Sequence, residues 1–188
     1  MLPFRTIIPC LLICSAFATQ AAPLRFPSPK GDLVLLVDRN PDKADTIRLE
    51  GPSGKLFLTL AVEDDLKTGQ IKEGSVLWSP AGDAAAFAVG NDQKFEAWAF
   101  VRATEGWKYL KLPKPADAEK GTLTSYQSIP SKWQGDRLTL NITAASPTAK
   151  PDAPALSGSL VVAIDVEGGS AKKVEETIAT PAPVKEAQ

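Results

Sequence analysis

Histidine is absent from this sequence, which removes the usual general base near neutral pH and the serine–histidine and cysteine–histidine nucleophile pairs. The same absence takes away the imidazole ligands on which most zinc, copper and non-haem iron sites depend. Cysteine is almost as scarce. Cys10 and Cys14 both fall in an apolar N-terminal stretch, so loss of that stretch leaves no disulfide, thiolate nucleophile or cysteine metal site. Charge of one sign is missing too: 21 basic and 22 acidic residues are interspersed, and no basic stripe suited to nucleic acid forms. Carboxylates, lysines, tyrosines and hydroxyls remain for chemistry. No nucleophile elbow, phosphate-cradling glycine loop or zinc signature appears, and no cofactor is expected.

Long hydrophobic runs are confined to the N-terminus. Arg5 is followed by an apolar run from Ile7 to Ala18, and then by the small residues of Ala18-Thr19-Gln20-Ala21-Ala22. The run is about a dozen residues, short of the roughly 20 that a helix needs to cross a bilayer. Residues 1–21 are therefore expected to be a secretory signal, cleaved after Ala18 or Ala21. Lipidation at Cys14 is disfavoured by the bulky Ile13 before it. The expected product is secreted or periplasmic, soluble after cleavage and without an integral membrane span.

The remainder is strand-like. A Gly-Asp turn precedes a β-prone run three times: Ser28-Pro29-Lys30-Gly31-Asp32 before Leu33 to Val37, Ser79-Pro80-Ala81-Gly82-Asp83 before Ala84 to Val89, and Gly135-Asp136 before Arg137 to Ile142. The aspartates at 32, 83 and 136 are 51 and 53 residues apart. Each unit continues with a second run (Asp45 to Leu49, Phe95 to Val101, Ser159 to Val166), a glycine turn and a third run (Lys55 to Leu60, Trp107 to Leu112, Ala171 to Val174). Short runs between glycine-bearing turns make antiparallel hairpins, and a period near 50 residues points to propeller blades or a β array. The fold class is all-β: an antiparallel meander of about three propeller-blade-like repeats, forming an open or partial propeller, with a β-sandwich as the alternative. The repeats cover 26–60, 76–113 and 129–174 within a single domain, 22–174. The proline-bearing tail 175–188 is expected to be disordered, and the acidic Glu63-Asp64-Asp65 to be a solvated loop.

The second unit carries a family likeness. Trp78-Ser79-Pro80-Ala81-Gly82-Asp83, then Ala85-Ala86-Phe87, then Glu96-Ala97-Trp98-Ala99-Phe100 and Gly106, resembles one blade of a TolB-type β-propeller, with Ala81 in place of the motif's aspartate. The first unit keeps Ser28-Pro29 and Gly31, and the third keeps Gly135 and a displaced Trp133. The resemblance implies stacked blade-like sheets and, by analogy of fold, a periplasmic interaction scaffold. The aspartates are expected to cap their turns rather than act as acids.

One strand offers a candidate binding face. Alternation in Trp107 to Leu112 puts Trp107, Tyr109 and Lys111 on one side, where two rings and a cation could clasp a peptide or stack on a sugar. The opposing reading packs those rings between sheets. No catalytic or metal-binding residues are identified. The expected function is an exported, non-catalytic protein-binding module of the cell envelope or periplasm, with an unidentified protein partner and possible homo-oligomerisation. The alternative is a carbohydrate-binding or carboxylate-based glycan-processing protein, which requires an exposed coplanar Trp107–Tyr109 pair.

Overall fold

The computed structural model describes residues 22–39, 44–61, 69–91, 93–123, 125–145 and 155–179. The expected signal segment, the Glu63-Asp64-Asp65 loop and the end of the tail lie outside the described residues. Thirteen strands, one 3-10 turn and one four-residue helix follow in order among the described residues: β1 (Leu24–Pro27), β2 (Val34–Asp38), β3 (Thr46–Glu50), the 3-10 turn (Pro52–Gly54), β4 (Leu56–Ala61), β5 (Gln70–Ile71), β6 (Leu77–Trp78), β7 (Ala84–Asn91), β8 (Lys94–Ala103), β9 (Gly106–Lys111), α1 (Ala116–Glu119), β10 (Ser125–Gln134), β11 (Arg137–Ala145), β12 (Leu156–Asp165) and β13 (Ser170–Ala179).

The chain is all-β, its sheets are built from antiparallel meanders, and they do not close into a barrel. Strands β1-β2-β3-β4 form the first meander. In the second, β5 and β6 pair with one edge of β7, which pairs with β8, which pairs with β9. The third is β10-β11-β12-β13. Two parallel rungs, Tyr126↔Lys94 and Gln127↔Phe95, join β10 to β8, so the second and third groups are one sheet folded over on itself.

Side-chain alternation decides how these groups stack. Along β7 and β8, Ala85, Phe87, Val89, Trp98 and Phe100 enter a core with Leu35, Val37, Ile47 and Leu49 of the first group. Their neighbours Ala84, Ala86, Ala97, Ala99 and Val101 enter a separate core with Leu138, Leu140, Ile142, Leu160 and Val162 of the third group. Successive residues of a strand point to opposite faces, so the middle group is sandwiched between the other two. Large side chains face one neighbour and alanines face the other. Phe87 and Phe100 meet edge to face, with centroids 5.1 Å apart, the arrangement that the ring quadrupole favours.

The two outward faces are polar. On the first group, Arg48 bonds Asp38 at 2.8 Å and also pairs with Glu50, beside its cross-strand neighbour Leu36. On the third, Asn141 and Thr143 stand opposite Ser159 and Ser157.

The Ser-Pro-x-Gly-Asp turns are built alike. The Ser79 hydroxyl donates to Asp83 Oδ1 at 2.7 Å and accepts from the N–H groups of Asp83 and Ala84. The Ser28 hydroxyl donates to Asp32 Oδ1 at 2.8 Å and accepts from Leu33 N–H. The serine is the cap, and the aspartate holds its hydroxyl in place. Gly31 and Gly82 take the positive φ, 70° and 73°, that the turn requires. Two indoles then stitch neighbouring groups: Trp78 Nε1–H donates to the Phe26 carbonyl at 3.0 Å, and Trp133 Nε1–H to the Leu77 carbonyl at 3.1 Å. Both acceptors lie two residues before the serine of the previous group's opening turn, Ser28 and Ser79.

Several boundaries differ from expectation. Each group has four strand positions, because the opening strands β1, β6 and β10 pair as well. The third group begins at Ser125 rather than 129. The chain from Glu175 is not disordered as far as Ala179: β13 runs unbroken in register with β12, apart from a bulge at Val174. Tertiary partners hold it there. The Glu176 carboxylate accepts the Ala116 N–H at 2.9 Å, and Ile178 packs on the second core.

Ser79→Ala leaves the N–H groups of Asp83 and Ala84 without their acceptor, and Trp78→Phe removes one bond between groups. Urea unfolding should show losses of about 1–3 kcal/mol for the first and about 1 kcal/mol for the second, with the denaturant slope unchanged.

Candidate functional site

The strand β9 forms as expected, and its cross-strand register sets the site. Trp98 pairs with Lys111, Phe100 with Tyr109 and Arg102 with Trp107. Trp107, Tyr109 and Lys111 do share one side, the side facing the first group. They diverge from there. Trp107 is half-buried and packs against the first core. Tyr109 stays 47% exposed and stacks on Trp98, with centroids 6.0 Å apart and planes within 14°. The Lys111 ammonium lies 4.9 Å from the centre of the Trp98 ring. The organising ring is Trp98, itself buried, and Tyr109 pairs with it rather than with Trp107.

Beside Trp107 is a cleft of about 630 Å³, walled by Leu33, Pro52, Phe57, Ala103 and Trp107, with Asp32, Arg102 and Glu105 at its rim. Phe57 reaches it through a bulge. Leu49 pairs with Leu58 and Glu50 with Leu56, so Phe57 is the extra residue of β4. Its ring lies over Gly51, where any Cβ would strike it. The Lys55 ammonium sits 5.4 Å from the same ring. The acids of the rim are engaged: Asp32 accepts the Ser28 hydroxyl, and Glu105 pairs with Lys108 at 2.8 Å, which lowers its pKa. Arg102 is exposed and has no ion-pair partner among the described residues. It also borders a second cleft of about 810 Å³ lined by Asp83, Asp136, Asp165 and Lys172.

Phe57, Arg102 and the outer edge of β4 were not singled out in the sequence. The available signals were the opposition of Arg102 to Trp107 across the Thr104-Glu105-Gly106 turn and the lack of any charge from Leu56 to Ala61.

The strongly perturbed titrating groups lie elsewhere. Glu96 is half-buried; burial pushes its pKa up, but bonds from Lys114, Lys94 and the Tyr126 hydroxyl outweigh that and bring it down to about 2. Tyr126 is raised, first by burial and then by the Glu96 charge. These groups flank the rungs joining β8 to β10. At β13, Lys173 is raised: its burial opposes the charge, and Glu176 and Glu119 overcome it. Both clusters join segments, and neither lines a cleft described above. Among the described residues no group of histidine, cysteine or acidic side chains is arranged to hold a metal, and no helix is long and apolar enough to cross a membrane.

No family model matches the chain, and no curated protein matches it either.

The Glu96 cluster has a pH signature. Its folded pKa lies below the unfolded value near 4.3, so its contribution is complete above that pH and is lost as the pH falls toward 2. Unfolding free energy measured across this window should fall by on the order of 3 kcal/mol from this group alone. Glu96→Gln should be less stable at neutral pH and should show a flatter acid limb.

Proposed function

We propose that this chain is an exported, non-catalytic protein-binding module of the cell envelope or periplasm, and that it meets its partner along the side carrying β4 and β9. One observation carries the reading. Of the four exposed large apolar side chains among the described residues, Leu56, Phe57 and Tyr109 lie on these two strands, the last strands of adjacent groups, at 53%, 38% and 47% exposure, and the fourth, Val174, stands alone at the bulge of β13. Exposed apolar surface concentrated on one side is a mark of an interaction site. The outward sheet faces are polar, which leaves the edges as the places where a partner can bury apolar surface.

The non-catalytic part rests on where the titrating groups are used. Glu96, Tyr126 and Lys173 are committed to joints of the fold, whereas catalytic groups with shifted pKa values sit in clefts beside substrate. The resemblance to TolB-type blades is supported by the serine-capped turns and by the two tryptophan bonds between groups. As an analogy of fold it favours binding without naming a partner. Export rests on residues 1–21 of the sequence. The glycan alternative is less well supported, because Tyr109 stacks on Trp98 and Trp107 packs into the core instead of forming a flat exposed pair. Closure of the stack by a second copy is likewise disfavoured by the charged and hydroxyl-rich outward faces.

The test is site-specific photo-crosslinking in the exporting cell, with benzoylphenylalanine placed at Phe57, Tyr109 or, as control, Thr177. Discrete protein adducts are expected from the first two positions and none from the third. Adducts equally strong at Thr177, or absent from both Phe57 and Tyr109, overturn the reading.

A further inference from the structure

Sheet edges in this molecule are not treated alike. The outer edge of β13 is blunted: Lys172, Lys173, Glu175 and Glu176 crowd it, Val174 bulges from it, and Lys173 and Glu176 are tied to α1. Charge, bulges and covering elements are the usual defences of an edge strand against pairing. The edge of β9 carries Lys108 and Lys111. By contrast β4 has no charged residue from Leu56 to Ala61, and β3 is its one pairing partner among the described residues. Its bulge at Phe57 does not blunt it: the ring turns toward the cleft, and Leu58 to Ala61 remain in regular register.

The surroundings of β4 say what could pair there. Lys55 at its start and Arg102 across the cleft are cations without an ion-pair partner among the described residues, whereas the acids of the rim, Asp32 and Glu105, are engaged by Ser28 and Lys108. An added strand therefore meets two cations, Lys55 and Arg102, beside apolar walls and one rim carboxylate, Asp32, that no cation pairs among the described residues. A second copy pairing through its own β4 would bring two lysine- and arginine-bearing rims together, so self-pairing is disfavoured by charge.

Resting on the protein-binding reading above, we propose that β4 is a strand-addition site for an extended polypeptide segment that alternates apolar and acidic side chains. The partner's backbone completes the ladder of β4. Because β4 lies against β9, side chains on one face of the added strand fall over the exposed Tyr109 ring and toward Phe57 and Trp107. Acidic residues are held by Lys55 and Arg102. In this mode main-chain bonds supply affinity, and the pockets for alternate side chains supply specificity.

Two labelled probe peptides test this, one alternating valine with glutamate and one alternating valine with lysine, each capped at both ends. Binding is followed by fluorescence anisotropy at low salt, and backbone exchange by mass spectrometry. The glutamate peptide is expected to bind, to slow amide exchange across Leu56–Leu60 and to leave β13 unchanged. The lysine peptide is expected to bind roughly tenfold more weakly, a difference of about 1.4 kcal/mol. Lys55→Glu combined with Arg102→Glu should reverse that order. Equal binding of the two peptides, no binding, or protection at β13 in place of β4 overturns strand addition. If the crosslinks at Phe57 and Tyr109 still form, strand addition alone has failed. If they are lost as well, the protein-binding reading falls with it.

Discussion

Strand β7, at the heart of the middle group, has no face of its own to show to water, and the rest of the molecule is organised around that constraint. From Ala84 to Val89 every side chain is fully buried, odd positions against one neighbour and even positions against the other. A strand of this kind cannot be stable in a two-layer protein, because one of its faces would be left wet. The first and third groups are therefore required, and each needs just one apolar face. Their outer faces are free to be polar: an arginine–carboxylate network on one, threonine, serine and asparagine on the other. The stack ends at three because neither outer face offers further apolar surface. Burial on this scale also explains how residues 22–188, which contain no cysteine, can hold together without a disulfide.

Much of this was legible in the sequence, for a local reason. A turn such as Ser79-Pro80-Ala81-Gly82-Asp83 is specified by its own residues: a proline that fixes φ, a glycine that accepts positive φ, and a serine and aspartate that bond to each other four residues apart. The all-β class, the hairpins and the approximate spacing follow from such signals. The opening strands β1 and β6 were missed because they are too short to show a strand pattern. Leu77-Trp78 is two residues long, and what fixes Trp78 is a carbonyl 52 residues upstream. The tail misled for the same reason. Its composition is polar and rich in alanine and glutamate, yet Glu176 finds an N–H 60 residues away, and that contact cannot be read from composition.

The candidate site divides along the same line. Alternation correctly placed Trp107, Tyr109 and Lys111 on one side of a strand, since period two is a property of the strand alone. It could not tell which of the three would be buried, because that depends on how far the first group extends over the second. The first group covers Trp107 and stops short of Tyr109. Phe57 and Arg102 complete the cleft from other hairpins, and their convergence is a product of the stacking.

Stacking sheets in this way also separates the fold's charges by role. Where segments are joined at the β8–β10 rungs and between α1 and β13, carboxylates and lysines are drawn together; despite burial, the pKa of Glu96 falls and that of Lys173 rises because their partners stabilise the charged form. These groups are bonded to one another in the folded state. Around β4 the opposite holds: the strand is uncharged, and among the described residues one of its backbone edges has no partner and Lys55 and Arg102 form no ion pair. An edge left in this state while β13 is defended by charge and a bulge is a cost to solubility unless something occupies it. The contrast between the two edges of one molecule is the basis of the proposed strand-addition site, and it rests on two whole strands rather than on any single residue.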